Sequence, residues 1–261
     1  MAEAWPLVVA RYHLGKSSKL SEIIGFFRKN HQPFNQALDI GTGTGALALA
    51  YKTYATTWDY LEIDEQVAKQ ASQLLGQEVS TSWAEVETKS FDLITVVDTF
   101  FYFSEPQETI NKLEAMLNPN GKLVITLTDT PDHSWVSCLR NYLNLGRKAR
   151  GFTFEETKEN FLRRFSPSIW GSVYFHKFSY PAEEAILLFM DWLDQCLNSK
   201  NKSKIMGDKL TNITDAKNGR LWLLRLTWPI FKLVSFLDYP FRPFLSRYRF
   251  IVVLTKKISN S

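Results

Sequence analysis

The sequence predicts an α/β protein built on a doubly wound, mostly parallel sheet. Short apolar runs end in glycines or carboxylates, segments of helical period separate them, and the two alternate through the first half of the chain. Leu20, Ile23, Ile24 and Phe27 fall at i, i+3, i+4 and i+7, one face of a leading helix. Ala37-Leu38-Asp39-Ile40 then reads as a strand running into Gly41-Thr42-Gly43-Thr44-Gly45. Three alternate glycines after a strand bring the backbone close to something bound, because a Cβ would collide there or the chain must turn through positive φ. Tyr60 to Asp64 is a second apolar strand ending in carboxylates, and Asp64 is placed to cap a helix carrying Val67, Ala71, Leu74 and Leu75. Phe91-Asp92-Leu93-Ile94 opens a further strand. Ser104-Glu105-Pro106-Gln107 reads as a capping box with proline in the first turn, opening a helix that turns Ile110, Leu113 and Leu117 to the sheet. Asn118 to Gly121 ends it, and Leu123 to Leu127 is an apolar strand of the kind buried on both faces. Four βα-type units fit into this half.

Beyond residue 130 the pattern changes. Thr153-x-x-Glu156 starts a helix bearing Phe161, Leu162 and Phe165, Val173, Phe175 and Phe178 suggest a strand before Pro181, and Ala185, Ile186, Phe189, Trp192, Leu193 and Cys196 keep helical spacing. Lys200 to Lys217 is polar and lysine-rich, as in a loop, and Tyr248 to Lys257 closes the chain as a clean strand. Residues 197–261 carry 13 basic and 3 acidic groups, so the overall charge of +4 is concentrated at this end.

The glycine loop admits two chemistries. Gly41-x-Gly43-x-x-Ala46 also fits the looser dinucleotide fingerprint, and both chemistries want an acid about 20 positions on for a ribose, a place Glu62 fills. Asp39 separates them. A pyrophosphate would meet a second negative charge at the strand end, whereas S-adenosylmethionine carries a sulfonium and an ammonium and no phosphate.

On these residues the chain resembles the class I S-adenosylmethionine-dependent methyltransferases, most closely the broad type-11 group, over roughly residues 35–130. The resemblance implies a Rossmann-like fold in which a final strand slots antiparallel into the sheet, making residues 131–247 an excursion that caps the substrate side. It further implies that Asp39, Gly41, Gly43 and Gly45 hold the methionine part, that Glu62 holds the ribose hydroxyls, and that Ile63 lies beside the adenine; Thr42, within the same loop, is a further candidate cofactor contact. The region matching the adenine-amine contact after the third strand is Ser82-Trp83-Ala84, which lacks the common Asp; Trp83 is the candidate there. Phe91 to Ile94 then corresponds to the fourth strand and the Asn118 to Lys122 turn precedes the fifth. The resulting division is a leading helical segment at 1–34, a cofactor-binding core at 35–130, the insertion at 131–247 and the last strand and tail at 248–261.

Methyl transfer is an in-line displacement at carbon from an already activated donor, so the protein must chiefly align the acceptor and exclude water. Asp98-Thr99-Phe100-Phe101-Tyr102-Phe103 follows the fourth strand, where family members line the transfer site; its rings either cradle the sulfonium or a greasy acceptor, or belong to the core. Asp98 and His133 are the candidate catalytic residues, with His13 more distant, and Asp98 is also a candidate cofactor contact. Asp98 and Asp129 lack an identifiable third ligand, so no metal is expected.

The two cysteines, Cys138 and Cys196, form no zinc pattern and fit free thiols in a reducing compartment. The N-terminus lacks the features of a secretory signal, which places the chain in the cytoplasm. Leu221 to Leu237 is apolar and aromatic but interrupted by Arg225, Pro229 and Lys232, too short and too charged for a transmembrane span. It fits a cap on the enzyme core, a protein interface, or peripheral contact with anionic membrane through residues 200–249. Nucleic acid is disfavoured as a partner, since the basic groups are mixed with bulky aliphatics. The expected activity is methyl transfer from S-adenosylmethionine to a small, hydrophobic or lipid-like acceptor; a nicotinamide-dependent oxidoreductase and a non-catalytic, membrane-associated cofactor-binding protein are the alternatives.

Overall fold

The computed structural model describes residues 18–30, 33–128, 154–175 and 247–257. The chain divides into two compact units, one of Met1–Thr130, Arg150–Val173 and Phe250–Ser261 and the other of Pro131–Ala149 and Tyr174–Arg249. Nearly all of the second unit lies outside the described residues. So do the expected helix at 185–196, the lysine-rich loop and the aromatic stretch at 221–237.

The first unit opens with α1 (Ser18–Lys29) and β1 (Phe34–Ile40), followed across the glycine loop by the short helix α2 (Ala46–Tyr51) and a 3-10 turn. Next come β2 (Ala55–Leu61), α3 (Glu65–Leu75), β3 (Phe91–Val96), α4 (Pro106–Met116) and β4 (Leu117–Thr128). α5 (Phe154–Arg164), β5 (Phe165–Phe175) and β6 (Arg247–Lys256) complete the described elements. The sheet runs β2-β1-β3-β4-β6-β5. β1 pairs in parallel with both β2 and β3, and β3 in parallel with β4, so the winding reverses between β1 and β3. Such a reversal opens a crevice at the carboxyl ends of the strands.

The last strand lies antiparallel, as expected. Its end meets the beginning of β4: Lys256 Nζ donates to the Leu117 carbonyl at 2.6 Å and Lys122 Nζ to Thr255 Oγ1 at 2.8 Å. The expected third strand is reduced to a single parallel bridge between Leu61 and Ser80. The strand read as the fourth is therefore β3.

Packing explains most of the elements. α1 buries Ile23, Phe26 and Phe27, while Ile24 is only partly covered, so its face is turned slightly from the expected one. Phe27 meets Tyr51 at 5.7 Å, and Tyr51 meets Trp58 at 5.2 Å, an aromatic layer against β1 and β2. A continuous apolar core joins Leu38, Ile94, Ile110, Leu113, Ile125 and Phe161 with Val252 and Leu254. α3 starts as its sequence dictates, with the Asp64 side chain accepting from Gln66 N at 3.0 Å and Val67 N at 3.1 Å. α4 departs from expectation: Glu105 is its N-cap, with no side-chain hydrogen bond, and Leu117 already belongs to β4. Pro106 as first helical residue puts Ser104 one position too early to cap. The capping box forms instead at Ser82 and Glu85, around the 3-10 turn Trp83–Glu85.

Candidate cofactor site

The glycine loop leaves β1 at the reversal point and takes the left-handed region at each glycine, with φ of 71° at Gly41, 57° at Gly43 and 79° at Gly45. A Cβ on Gly41 would fall on the Thr99 side chain, whereas one on Gly43 would meet nothing within 4 Å. The loop is thus pressed against the segment after β3 on one side and open on the other. Gly41 N and Thr42 N both donate to the Leu61 carbonyl, at 2.8 and 3.2 Å, fastening the loop to the end of β2.

Two carboxylates flank it. Leu61 is the register partner of Ile40, so Glu62 comes level with the loop. Its Oε2 accepts from Gly43 N at 2.9 Å and its Oε1 from Asp64 N at 3.1 Å. Asp39 lies one layer lower, only 3% exposed. Its Oδ1 accepts from Tyr51 OH at 2.6 Å and Thr95 Oγ1 at 2.5 Å, and its Oδ2 from Thr42 Oγ1 at 3.0 Å. Burial pushes the Asp39 carboxyl up to about 6, against the pull of the Thr95, Tyr51 and Thr42 hydroxyls, and the nearby Glu62 charge adds to the rise. Burial and then the Asp39 charge likewise raise the Tyr51 and Tyr60 hydroxyls.

These donors and acceptors fit an adenosyl cation and not a pyrophosphate. The Gly43 amide that would cradle a phosphate already faces the Glu62 carboxylate, and the helix after the loop has six residues, too short to offer much dipole. The open face at Gly43 is the space a bound group would take.

The remaining predicted residues scatter more. Ile63 stands 67% exposed beside Glu62, an unusual position for an isoleucine. Trp83 is partly buried against the core, its ring 5.8 Å from that of Phe103, with Lys112 Nζ 5.7 Å from its centroid. Asp98 has φ of 56°, a left-handed conformation that aspartate tolerates better than most residues. Of the aromatic run after β3, Phe100 is core, packed 5.6 Å from Phe161, Phe103 is partly buried, and Tyr102 is 48% exposed. His133, His13 and Asp129 lie outside the described residues. Sequence reasoning missed Tyr51 and Thr95. Tyr51 closes an apolar helix and looks like core, but Thr95 left a signal, since a hydroxyl inside a strand buried on both faces needs a partner.

Comparison with known proteins gives the family. A family profile described as Methyltransferase domain matches residues 12–167, more than half of the chain. The chain belongs to the methyltransferase-domain family. The match carries the resemblance at the level of class I, and the protein is a methyltransferase whose cofactor is S-adenosylmethionine. No curated protein matches in sequence. Among solved structures, YcgJ from Bacillus subtilis is 15% identical, with a TM-score of 0.52, over 92% of this chain and 99% of that one. Phosphoethanolamine N-methyltransferase 2 of Haemonchus contortus, solved in complex with S-adenosyl-L-methionine, is 14% identical at a TM-score of 0.50, over 87% and 49% of the two chains. A Galdieria sulphuraria protein provisionally described as a sarcosine dimethylglycine methyltransferase is 13% identical at 0.50, over 95% and 85%. At these identities the likeness is one of fold, and it agrees with the mixed six-stranded sheet of this methyltransferase.

Proposed function

We propose that this methyltransferase acts on a small, hydrophobic or lipid-like acceptor, approached over the segment that follows β3. The observation that carries the reading is Tyr102, 48% exposed in the segment after β3 and one of the more exposed large hydrophobics among the described residues. The aromatic and basic composition of residues 221–249 agrees with it.

S-adenosylmethionine supplies an activated methyl group whose carbon–sulfur bond breaks as the acceptor's lone pair forms the new bond. In our reading Asp39, Gly41, Thr42, Gly43 and Gly45 hold its methionine end, Glu62 keeps acceptor capacity for the ribose hydroxyls, and Ile63 and Trp83 flank the adenine. Asp98 touches cofactor or acceptor; its left-handed backbone turns the chain just past β3, at the place where transfer must occur. His133 is the candidate base for an acceptor that must lose a proton, whereas a carboxylate or neutral amine needs none. Residues 131–247 form the substrate-side insertion in this scheme. The protein is cytoplasmic and meets anionic membrane peripherally through residues 200–249. Among the described residues no helix is long and apolar enough to cross a membrane.

Incubation with methyl-labelled S-adenosylmethionine and a cell extract, followed by solvent partition, tests the acceptor class. Label in the organic phase is expected. Label only in water-soluble amines, the compounds named for two of the fold relatives, overturns the lipid-like reading, and no labelled product at all favours a non-catalytic binder. Cosedimentation with anionic vesicles at two salt concentrations tests the membrane contact, which must weaken as ionic strength rises.

A further inference from the structure

We propose that Tyr51 is a positioning residue for the cofactor loop, acting through its hydroxyl on Asp39 to tie the far end of α2 back onto β1 and so preset the cradle between them. The inference rests on the reading of Gly41–Gly45 as the cofactor loop and adds to it a residue outside that motif.

The geometry is that of a closed ring. The chain leaves Asp39, traverses the loop and α2, and returns at Tyr51, whose hydroxyl reaches Asp39 Oδ1 at 2.6 Å. Thr42 ties the loop itself to the same carboxylate at 3.0 Å, and Thr95 adds the neighbouring strand at 2.5 Å. Three hydroxyls on one buried carboxylate leave strand, loop, helix and β3 sharing a single anchor. Hydrogen bonds to an ionised acceptor are stronger than neutral ones, so the anchor is firm when Asp39 is charged and slack when it is protonated. The Tyr51 ring is fully buried between Phe27 and Trp58, which fixes the direction of its hydroxyl. The charged or titratable groups facing Asp39 are Tyr51 from α2, Tyr60 from β2 and Glu62 just beyond it; Thr42 and Thr95 face it as hydroxyls.

Cofactor affinity then follows the charge on Asp39, and Tyr51 sets where that charge is lost. The test is calorimetric titration of the full chain with S-adenosylhomocysteine, which keeps the ammonium, at pH values from 5 to 8, with melting curves alongside. Wild type is expected to bind about tenfold more tightly at the upper end, the change produced when a ligand favours the carboxylate by one pKa unit. Tyr51→Phe removes one donor from the charged form and is expected to move the midpoint of that change upward by about one pH unit. Thr95→Val should move it in the same direction, Thr95→Ser should restore it, and Asp39→Asn should flatten the profile. An unmoved midpoint in folded Tyr51→Phe, or in Thr95→Val if the tyrosine variant does not fold, makes these residues mere core and overturns the proposal. A persistent pH dependence in Asp39→Asn overturns it too. Absence of binding by wild type at every pH refutes instead the cofactor-loop reading on which it rests.

Discussion

Asp39 combines two opposed demands at a single residue. Its folded carboxyl is raised to about 6 from an ordinary 3.8, which means that the native state holds the proton more tightly than the unfolded chain does. Its contribution to stability is therefore complete below about pH 4 and is lost as pH rises through about 6, amounting to roughly 3 kcal/mol at most. Urea unfolding of wild type against Asp39→Asn should show the wild type losing stability relative to the variant between pH 4 and 7, with no further change above. Affinity for the cofactor should move the other way over the same window, so the residue costs stability where it serves binding. The glycines separate in a similar manner. Gly41→Ala meets both a left-handed backbone and the Thr99 side chain, and should lower the melting temperature and abolish cofactor binding. Gly43→Ala faces open space, so only about 1–2 kcal/mol of conformational strain falls on the fold. Its binding loss, read by calorimetry, should be as large, because the new methyl group enters the space left for the ligand.

α3 shows how an element carries a site. Its N-cap, Asp64, uses its side chain for the helix and its own backbone N–H for Glu62, which in turn holds Gly43. Asp64→Ala should cost about 1 kcal/mol in urea unfolding. A few-fold loss of cofactor affinity should accompany it, since the cap and Glu62 share one turn of chain. The Ser82 box holds the turn that carries Trp83, so Ser82→Ala should likewise lower stability and, in our reading, weaken cofactor binding. Capping frames were only partly legible in the residues: Ser82-x-x-Glu85 and Ser104-x-x-Gln107 have the same pattern, yet only the first forms, because a proline two places after Ser104 sets the helix start. The third strand was less legible still. Val79 and Ser80 look no weaker than other short strands, but a strand exists only through its neighbours, and here a single bridge to Leu61 remains.

Across the whole molecule, the core of the cofactor half is finished by chain that returns from far away. Phe161 and Phe165 of the α5–β5 segment and Val252 and Leu254 of β6 pack with Leu38, Ile94 and Ile125. Phe161→Ala should therefore cost about 3–5 kcal/mol, measured by denaturant unfolding, although it lies well outside the glycine motif. Leu162→Ala, 39% exposed on the next position, should stay within about 0.5 kcal/mol. Such a contrast would show that the cofactor-binding half cannot be cut from the chain at residue 130 without opening its core.

What could be read from the residues alone was whatever depends on near neighbours along the chain. Alternate glycines announce positive φ, a carboxylate before a helical period announces a cap, and the order of apolar runs announces a doubly wound sheet; each rests on local sterics or periodicity. Left to tertiary structure was everything that depends on groups distant in sequence meeting in space. Thr95 lies 56 positions from Asp39 and Tyr51 lies 12, yet together they surround its carboxylate and make the acid expected at the strand end a buried anchor. Burial and hydrogen bonding, not spacing, set the charge of that group, and neither exists until the sheet has formed.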